Sequence, residues 1–189
     1  MRKIMEFIVV DDHPLFRQGL VSVIQDQQRF KVIGEASSVS EALDVIAERP
    51  PDVLLVDIAL KQENGLELVK SVKSMYPKVL QLVISMYDEI VYASTALKAG
   101  AKGYVMKQEA AGTLIEAIDT IINGKIYLSN DMRERMLDVL FSQDAEHGEL
   151  DPVKQLSVRE LEVLRLLGQG FGVSEIAESL NLSAKTINV

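Results

Sequence analysis

Four short apolar runs each end in a polar residue: FIVV leads into Asp11 and Asp12, VLLV into Asp57, LVI into Ser85 and YVM into Lys107. Between them the apolar residues fall at helical spacing, over Phe16 to Ile24, Ser40 to Ala47, Leu66 to Val72, Ile90 to Leu97 and Leu114 to Ile122. An unbroken Val/Ile/Leu run marks a strand covered on both faces, and parallel strands need crossover connections. The alternation therefore predicts an α/β domain built on a parallel sheet. In open sheets of this kind ligands bind beyond the carboxyl ends of the strands, which is where the polar residues stand.

The length supports a first domain over residues 1–128, a helical linker over 129–152 with its helix from about Asn130 to Phe141, and a smaller domain over 153–189. The boundary is set by the acidic, weakly apolar stretch from Ser142 to Pro152. No run approaches the ~18 apolar residues of a membrane span, and the Met1-Arg2-Lys3 start leads into too few apolar residues for a signal peptide. With no cysteine, neither disulfides nor thiol chemistry nor a zinc site is expected to be available. A cytoplasmic protein with no membrane partner is expected. Residues 1–128 carry 14 Lys/Arg against 17 Asp/Glu, residues 129–150 carry 2 against 6, and residues 151–189 carry 4 against 5. No segment is basic, so charge alone gives no argument for nucleic acid.

The chemistry of the strand ends is more specific. Mg2+ (or Mn2+) takes oxygen ligands and is usually held by one or two carboxylates together with phosphate oxygens. Asp11, Asp12 and Asp57 supply such a set, and a cation relieves the repulsion that three crowded carboxylates would otherwise suffer. An acid at Asp11 or Asp12 can equally serve to cap the helix that begins near Pro14. Asp57 ends a run expected to be central in the sheet, and a carboxylate there can attack phosphorus to give an aspartyl phosphate. Phosphoryl transfer asks a protein mainly to position groups and neutralise charge on three equatorial oxygens. The metal, the Ser85 hydroxyl and the Lys107 ammonium can take one each. Taken alone, Lys107 reads as a solvated lysine and Ser85 as a turn cap.

These residues and their surroundings, VVDDHPLFRQGL, DVLLVDIAL followed by Gly65-Leu66-Glu67, LVISMYD and ALKAGAKGYVMK, resemble the receiver domain of bacterial two-component response regulators over residues 4 to 123. The resemblance implies a flavodoxin-like (βα)5 fold of strand order 2-1-3-4-5. It implies that Asp57 takes phosphate from a sensor histidine kinase, with metal held by Asp11, Asp12, Asp57 and the backbone carbonyl of Ala59. It assigns a switch to Ser85 and Tyr104: phosphate draws the Ser85 hydroxyl inward and the aromatic ring turns into the vacated space. Read without the family, Tyr104 is a half-buried strand tyrosine with its hydroxyl in water. Ala59 and Tyr87 flank the route of a hydrolytic water in the family. Alanine has no polar group to orient that water, so slow-to-moderate loss of the phosphoryl group is expected. Leu60-Lys61 replaces the family's common Met-Pro, which frees the loop from proline's fixed φ and brings Lys61 within possible reach of the acids.

From Ser157 the chain reads LSVRELEVLRLLGQGFGVSEIAESLNLSAKTINV. Ser157 and Glu160 form a capping-box pair that opens a helix with Leu161, Leu164 and Leu167 on one face. A second helix runs from about Val173 to Leu180, and after the turn Asn181 to Ser183 a third begins at Ala184, a helix-turn-helix pattern. Spacing alone also fits a plain helical hairpin. The wording resembles the DNA-binding domain of the LuxR/FixJ/NarL class. That resemblance implies promoter DNA as partner, a recognition helix in the major groove with contacts from Ser183, Lys185, Thr186 and Asn188, and a homodimer on paired half-sites. Gly172 takes the place of the usual Ser or Thr cap. The chain stops at Val189 within the third helix, so weak DNA binding by this length of chain is expected.

The leading reading is a phosphorylation-controlled transcription regulator, not an enzyme beyond its own phosphorylation and slow dephosphorylation at Asp57. The alternative is a receiver used only as a phosphorylation-dependent protein-interaction switch. A phosphohydrolase with an aspartate nucleophile is disfavoured, because that chemistry usually places Asp-x-Asp after the first strand.

Overall fold

The computed structural model describes residues 3–60, 63–109, 111–141, 163 and 172–179. The chain divides into two compact units, Met1–Leu137 and Asp138–Val189.

The first unit alternates strands and helices: β1 (Met5–Val10), α1 (Pro14–Gln25), β2 (Phe30–Ala36), α2 (Val39–Glu48), β3 (Val53–Val56), β4 (Ala59–Leu60), β5 (Glu63–Asn64), α3 (Gly65–Met75), β6 (Leu80–Ser85), α4 (Glu89–Ala99), β7 (Gly103–Met106) and α5 (Ala111–Ile122). α6 (Asn130–Phe141) follows. Five strands form one parallel sheet in the order β2-β1-β3-β6-β7. Numbered within that sheet, this is the flavodoxin-like 2-1-3-4-5 order.

The apolar runs are the sheet's interior. Phe7, Val9, Val53, Leu55, Leu82, Ile84 and Val105 face a core shared with Leu20 and Ile24 of α1 and Leu114, Ile118 and Ile121 of α5. The residues between them, Ile8, Leu54 and Val83, are fully buried too, so both faces are covered. Each such side chain contributes about 1.5–3 kcal/mol relative to exposure.

Helix starts follow local chemistry. The Ser38 side chain accepts from Glu41 N–H at α2, Asn64 from Leu66 N–H at α3, and Asp88 from Ile90 N–H at α4. α1 starts with Pro14 in its first turn, a place that suits proline because no helical donor is lost there. Gly100 ends α4 with φ +123°, a left-handed conformation available to glycine at no steric cost.

The two edges of the sheet differ. β2 pairs with β1 through an irregularity at Phe7/Ile8 that leaves Ile33 as an extra residue. It carries Lys31, Gly34 and Glu35, which is why it does not stand out as an apolar run. At β7 the chain leaving α5 runs alongside the strand: Tyr104 N–H donates to the Tyr127 carbonyl at 3.2 Å and Tyr127 N–H to the Lys102 carbonyl at 2.9 Å.

In the second unit, α7 covers Val173–Ser179, and Ile176 and Ala177 on it are buried. Gly172 precedes it, and its N–H donates to Glu175 Oε2 at 2.7 Å. This is the returning half of a capping box; glycine supplies no side-chain oxygen for the other half. The Ser157/Glu160 pair, Leu161, Leu164, Leu167, and the expected DNA contacts Ser183, Lys185, Thr186 and Asn188 lie outside the described residues. No described helix is long and apolar enough to cross a membrane.

Candidate functional site

β1, β3, β6 and β7 deliver their polar ends to one side of the sheet. Asp57 N–H donates to the Val10 carbonyl at 2.9 Å, which ties the nucleophile candidate to the strand that carries the acid pair. Lys107 N–H donates to the Ser85 carbonyl at 2.8 Å and fixes the other two ends together.

Lys107 is the electrostatic centre. Its Nζ donates to Asp57 Oδ2 at 2.7 Å and lies 2.6 Å from Asp11 Oδ2, with all three side chains at 3% exposure or less. It also sits 4.5 Å from the centroid of the Phe16 ring, a cation-π contact. The lysine is therefore not a solvated one. Burial pushes the Asp57 carboxyl from 3.8 up to about 6, with the Lys107 ammonium opposing that rise and the Asp11 carboxylate adding to it. Asp57 Oδ1 accepts from Ala59 N–H at 3.1 Å, so the backbone of β4 holds one oxygen while the ammonium holds the other.

The acid pair does not cap α1. His13 occupies the N-cap position and makes no side-chain cap bond. Asp11 Oδ1 accepts from His13 N–H at 2.8 Å, a local turn that aims the second oxygen at Lys107. Asp11 Oδ2 has the Lys107 ammonium as its one close cation, and Asp12 Oδ1 is buried with only the exposed His13 ring beside it, 2.7 Å from Nδ1. One donor atom from each of Asp11, Asp12, His13 and Asp57 falls within 4.8 Å of the others. Three buried carboxylates inside so small a volume, with a single ammonium among them and no hydrogen bond to Asp12 Oδ1, are a fitting receptacle for a cation. His13 is the member of this cluster that the sequence reading passed over; its place beside the acid pair was the available signal.

Gly65 makes the geometry possible. A Cβ there would stand 1.9 Å from the Asp57 carbonyl oxygen and 3.0 Å from Ile58 Cα. Gly65 N–H donates instead to the Ile58 carbonyl at 3.0 Å, and α3 starts directly against the peptide that carries Asp57. Lys61, in the connection between β4 and β5, lies outside the described residues.

Ser85 is fully buried, and its Oγ accepts from Tyr87 N–H at 3.2 Å. Tyr104 is 1% exposed and its hydroxyl donates to the Tyr87 carbonyl at 2.9 Å. The picture of a half-buried tyrosine with a wet hydroxyl is thereby corrected. The phenol has exchanged water for a backbone acceptor, and burial raises its pKa well above the ordinary range. The ring is already inward while Lys107 still holds Asp57. Tyr87 stacks on Tyr92 of α4, with ring centroids 4.9 Å apart.

Glu89 was also missed. It lies in the first turn of α4 at 5% exposure, and its Oε1 accepts from Ser129 N–H at 2.9 Å. An acid at that place reads in sequence as a partner of the helix dipole.

Residues 7–119 match the family model for the response regulator receiver domain, and residues 154–189 match that for bacterial regulatory proteins of the luxR family. The oxygen regulatory protein NreC of Staphylococcus epidermidis is 33% identical over 187 residues, covering 97% of this chain and 86% of that protein. The transcriptional regulatory protein DegU of Brevibacillus brevis is 30% identical over 195 residues, covering 97% and 83%. Among solved structures, RcsB from Salmonella enterica serovar Typhimurium, bound to a promoter in the presence of the phosphomimetic BeF3−, is similar with a TM-score of 0.66 and 30% identity over 98% of this chain and 87% of that one. A LuxR-family response regulator from Aurantimonas gives a TM-score of 0.68 at 28% identity over 73% and 99%. Strand order, strand-end chemistry and both family matches agree, and the chain belongs to the two-component response regulators of the LuxR type, a receiver domain followed by a helix-turn-helix domain.

Proposed function

We propose that Asp57 accepts a phosphoryl group from the phosphohistidine of a sensor histidine kinase, and that this charge change governs promoter binding by the C-terminal domain of a cytoplasmic homodimer. The observation that carries this reading is the Lys107 ammonium shared between Asp57 and Asp11, beside the buried Asp12 carboxylate whose Oδ1 has no hydrogen bond. A carboxylate oxygen of Asp57 attacks phosphorus as the P–N bond to the imidazole breaks, and the departing imidazole takes a proton from solvent. Lys107 then exchanges its Asp57 contact for a phosphoryl oxygen, and the Ser85 hydroxyl donates to another. Asp11, Asp12, Asp57 and the Ala59 carbonyl are the residues suited to hold Mg2+ (or Mn2+), which supplies neutralising charge to the transferring group.

Ser85 and Tyr104 are the proposed switch, since a Ser85 hydroxyl drawn toward phosphate gives up its bond with Tyr87 N–H, next to the carbonyl that holds Tyr104. Ala59 and Tyr87 tune the lifetime of the phosphoryl group. The domain division 1–128, 129–152 and 153–189 is the arrangement by which the signal reaches Ser183, Lys185, Thr186 and Asn188 on DNA. Solved relatives are described as RcsB bound to promoter DNA and as RcsB dimers on parallel DNAs, which supports both the DNA and the dimer.

Intact-mass analysis after incubation with acetyl phosphate and Mg2+ tests the first step. A single phosphoryl adduct, absent without the metal and absent in Asp57→Asn, is expected. An adduct that persists in Asp57→Asn would overturn the assignment.

A further inference from the structure

The Lys107 ammonium has two carboxylate partners, Asp11 at 2.6 Å and Asp57 at 2.7 Å, and a third neighbour of another kind. Its Nζ lies over the Phe16 ring, 4.5 Å from the centroid. Phe16 stands in the first turn of α1, and the next residue, Arg17, donates through Nη1 to the Asp11 carbonyl at 2.6 Å. The helix that carries the ring is thereby tied to the turn that carries the acid pair. Phe16 and Lys107 also share the wall of a cavity of about 230 Å3, bordered by Leu20, Val23, Ile84 and Leu114 and by the Glu109 carboxyl. A lysine has a flexible four-carbon stem, and beside such a space the stem has somewhere to retreat.

We propose that Phe16 is a positioning residue for phosphoryl transfer, its ring face holding the Lys107 ammonium where a phosphoryl oxygen arrives. The inference rests on the reading that Asp57 is the phosphoacceptor. Transfer exchanges the ammonium's Asp57 contact for an oxygen of the incoming group, so one of its two carboxylate anchors is given up during the step. The ring attracts the ammonium through its quadrupole, brings no charge of its own and takes no hydrogen bond from the phosphoryl oxygen. Its share of the hold on Lys107 therefore grows as the Asp57 contact loosens, which is the condition for a contact to act on rate rather than on binding alone. An ammonium kept out of the cavity stays preorganised for the charge that develops on phosphorus-bound oxygen.

The test uses the whole chain carrying phenylalanine or its mono-, di-, tri- and pentafluorinated forms at position 16, together with Phe16→Leu. Val23→Ala, which trims the same cavity away from Lys107, is the packing control. Each fluorine draws electron density from the ring face and weakens its pull on a cation, while the ring keeps its shape and becomes more apolar. The rate of adduct formation with acetyl phosphate and Mg2+ is followed by intact mass. It is expected to fall stepwise with the number of fluorines, to about tenfold at five, and by a similar factor in Phe16→Leu. Val23→Ala is expected to lower the melting temperature and leave the rate unchanged. A rate that is flat or rises along the series would overturn the proposal, because packing alone favours the more apolar ring, and so would equal slowing in Val23→Ala. An adduct that forms with a flat series sinks the role of the ring alone. A chain that forms no adduct with unmodified phenylalanine sinks the phosphoacceptor reading, and this one with it.

Discussion

Glu89 Oε1 accepts the backbone N–H of Ser129 from forty residues away in sequence, which joins the start of α4 to the start of α6. Ser129 Oγ in turn accepts from Met132 N–H at 3.1 Å and caps α6. Both ends of this contact lie beside the candidate switch: Glu89 follows the Ser85-Met86-Tyr87 turn, and Tyr127 is bonded to the backbone of Tyr104. Glu89→Ala removes the acceptor and leaves a buried donor unmet, at about 1–3 kcal/mol. Hydrogen exchange at Ser129 is expected to quicken while the Asp57 adduct still forms. Unchanged exchange there would show that the contact does not hold the chain entering α6.

Lys107→Ala leaves Asp11 and Asp57 buried without their cation. Breaking a buried ion pair from one side costs roughly 3–5 kcal/mol. A lower melting temperature is expected without metal, and added Mg2+ is expected to restore part of it by supplying the missing charge. A melt that Mg2+ does not raise would show that the carboxylates do not share a metal.

The Asp57 carboxyl is raised by burial from 3.8 to about 6, and a carboxylate must be ionised to attack phosphorus. Adduct formation with acetyl phosphate is expected to climb from pH 5 to 7 and then level off, and a bound cation, which favours the charged form, shifts that rise to lower pH. The stability sign is opposite to that of an ordinary salt-bridged acid. Because the folded pKa exceeds the unfolded one, the folded state holds the extra proton between pH 4 and 6, and stability falls as pH rises through that window. At neutral pH the loss is about 3 kcal/mol at most. Metal-free urea titrations at pH 5 and 7, compared with Asp57→Asn, check it: the variant is expected to lack this slope.

Gly65→Ala places a methyl 1.9 Å from the Asp57 carbonyl oxygen, against backbone that cannot yield cheaply. A loss of about 1–3 kcal/mol or more and a smaller adduct yield are expected together, because the displaced peptide carries the nucleophile. Gly19→Ala, within α1 and with nothing inside 4 Å of the new methyl, is the matching control. It is expected to stabilise by roughly 0.5–1 kcal/mol. Equal melting shifts in the two variants would refute the steric account.

The sheet and four of its five strand ends were legible because strands buried on both faces leave continuous apolar runs, and because Asp, Ser and Lys at their ends have no packing reason to be there. β2 was less legible, being an edge strand whose Lys31 and Glu35 break the pattern. The two-residue strands β4 and β5 are too short to carry any period. His13 and Glu89 escaped notice for a different reason: each stands where a helix start explains a polar residue, and only the tertiary contacts reveal the second role. For Tyr104, the reading without the family left the hydroxyl in water because its acceptor is a carbonyl seventeen residues earlier, which no local pattern reveals.

The chain that follows α5 covers the start of the outer edge of β7, through Tyr127. A sheet presents its unpaired backbone as a template only at its edges. With one edge partly covered and the other strand kinked at Ile33 and carrying Lys31 and Glu35, strand-to-strand addition between molecules is disfavoured on both sides. Extended β-pairing between copies of this domain, the route to aggregation, is thereby discouraged by the fold itself.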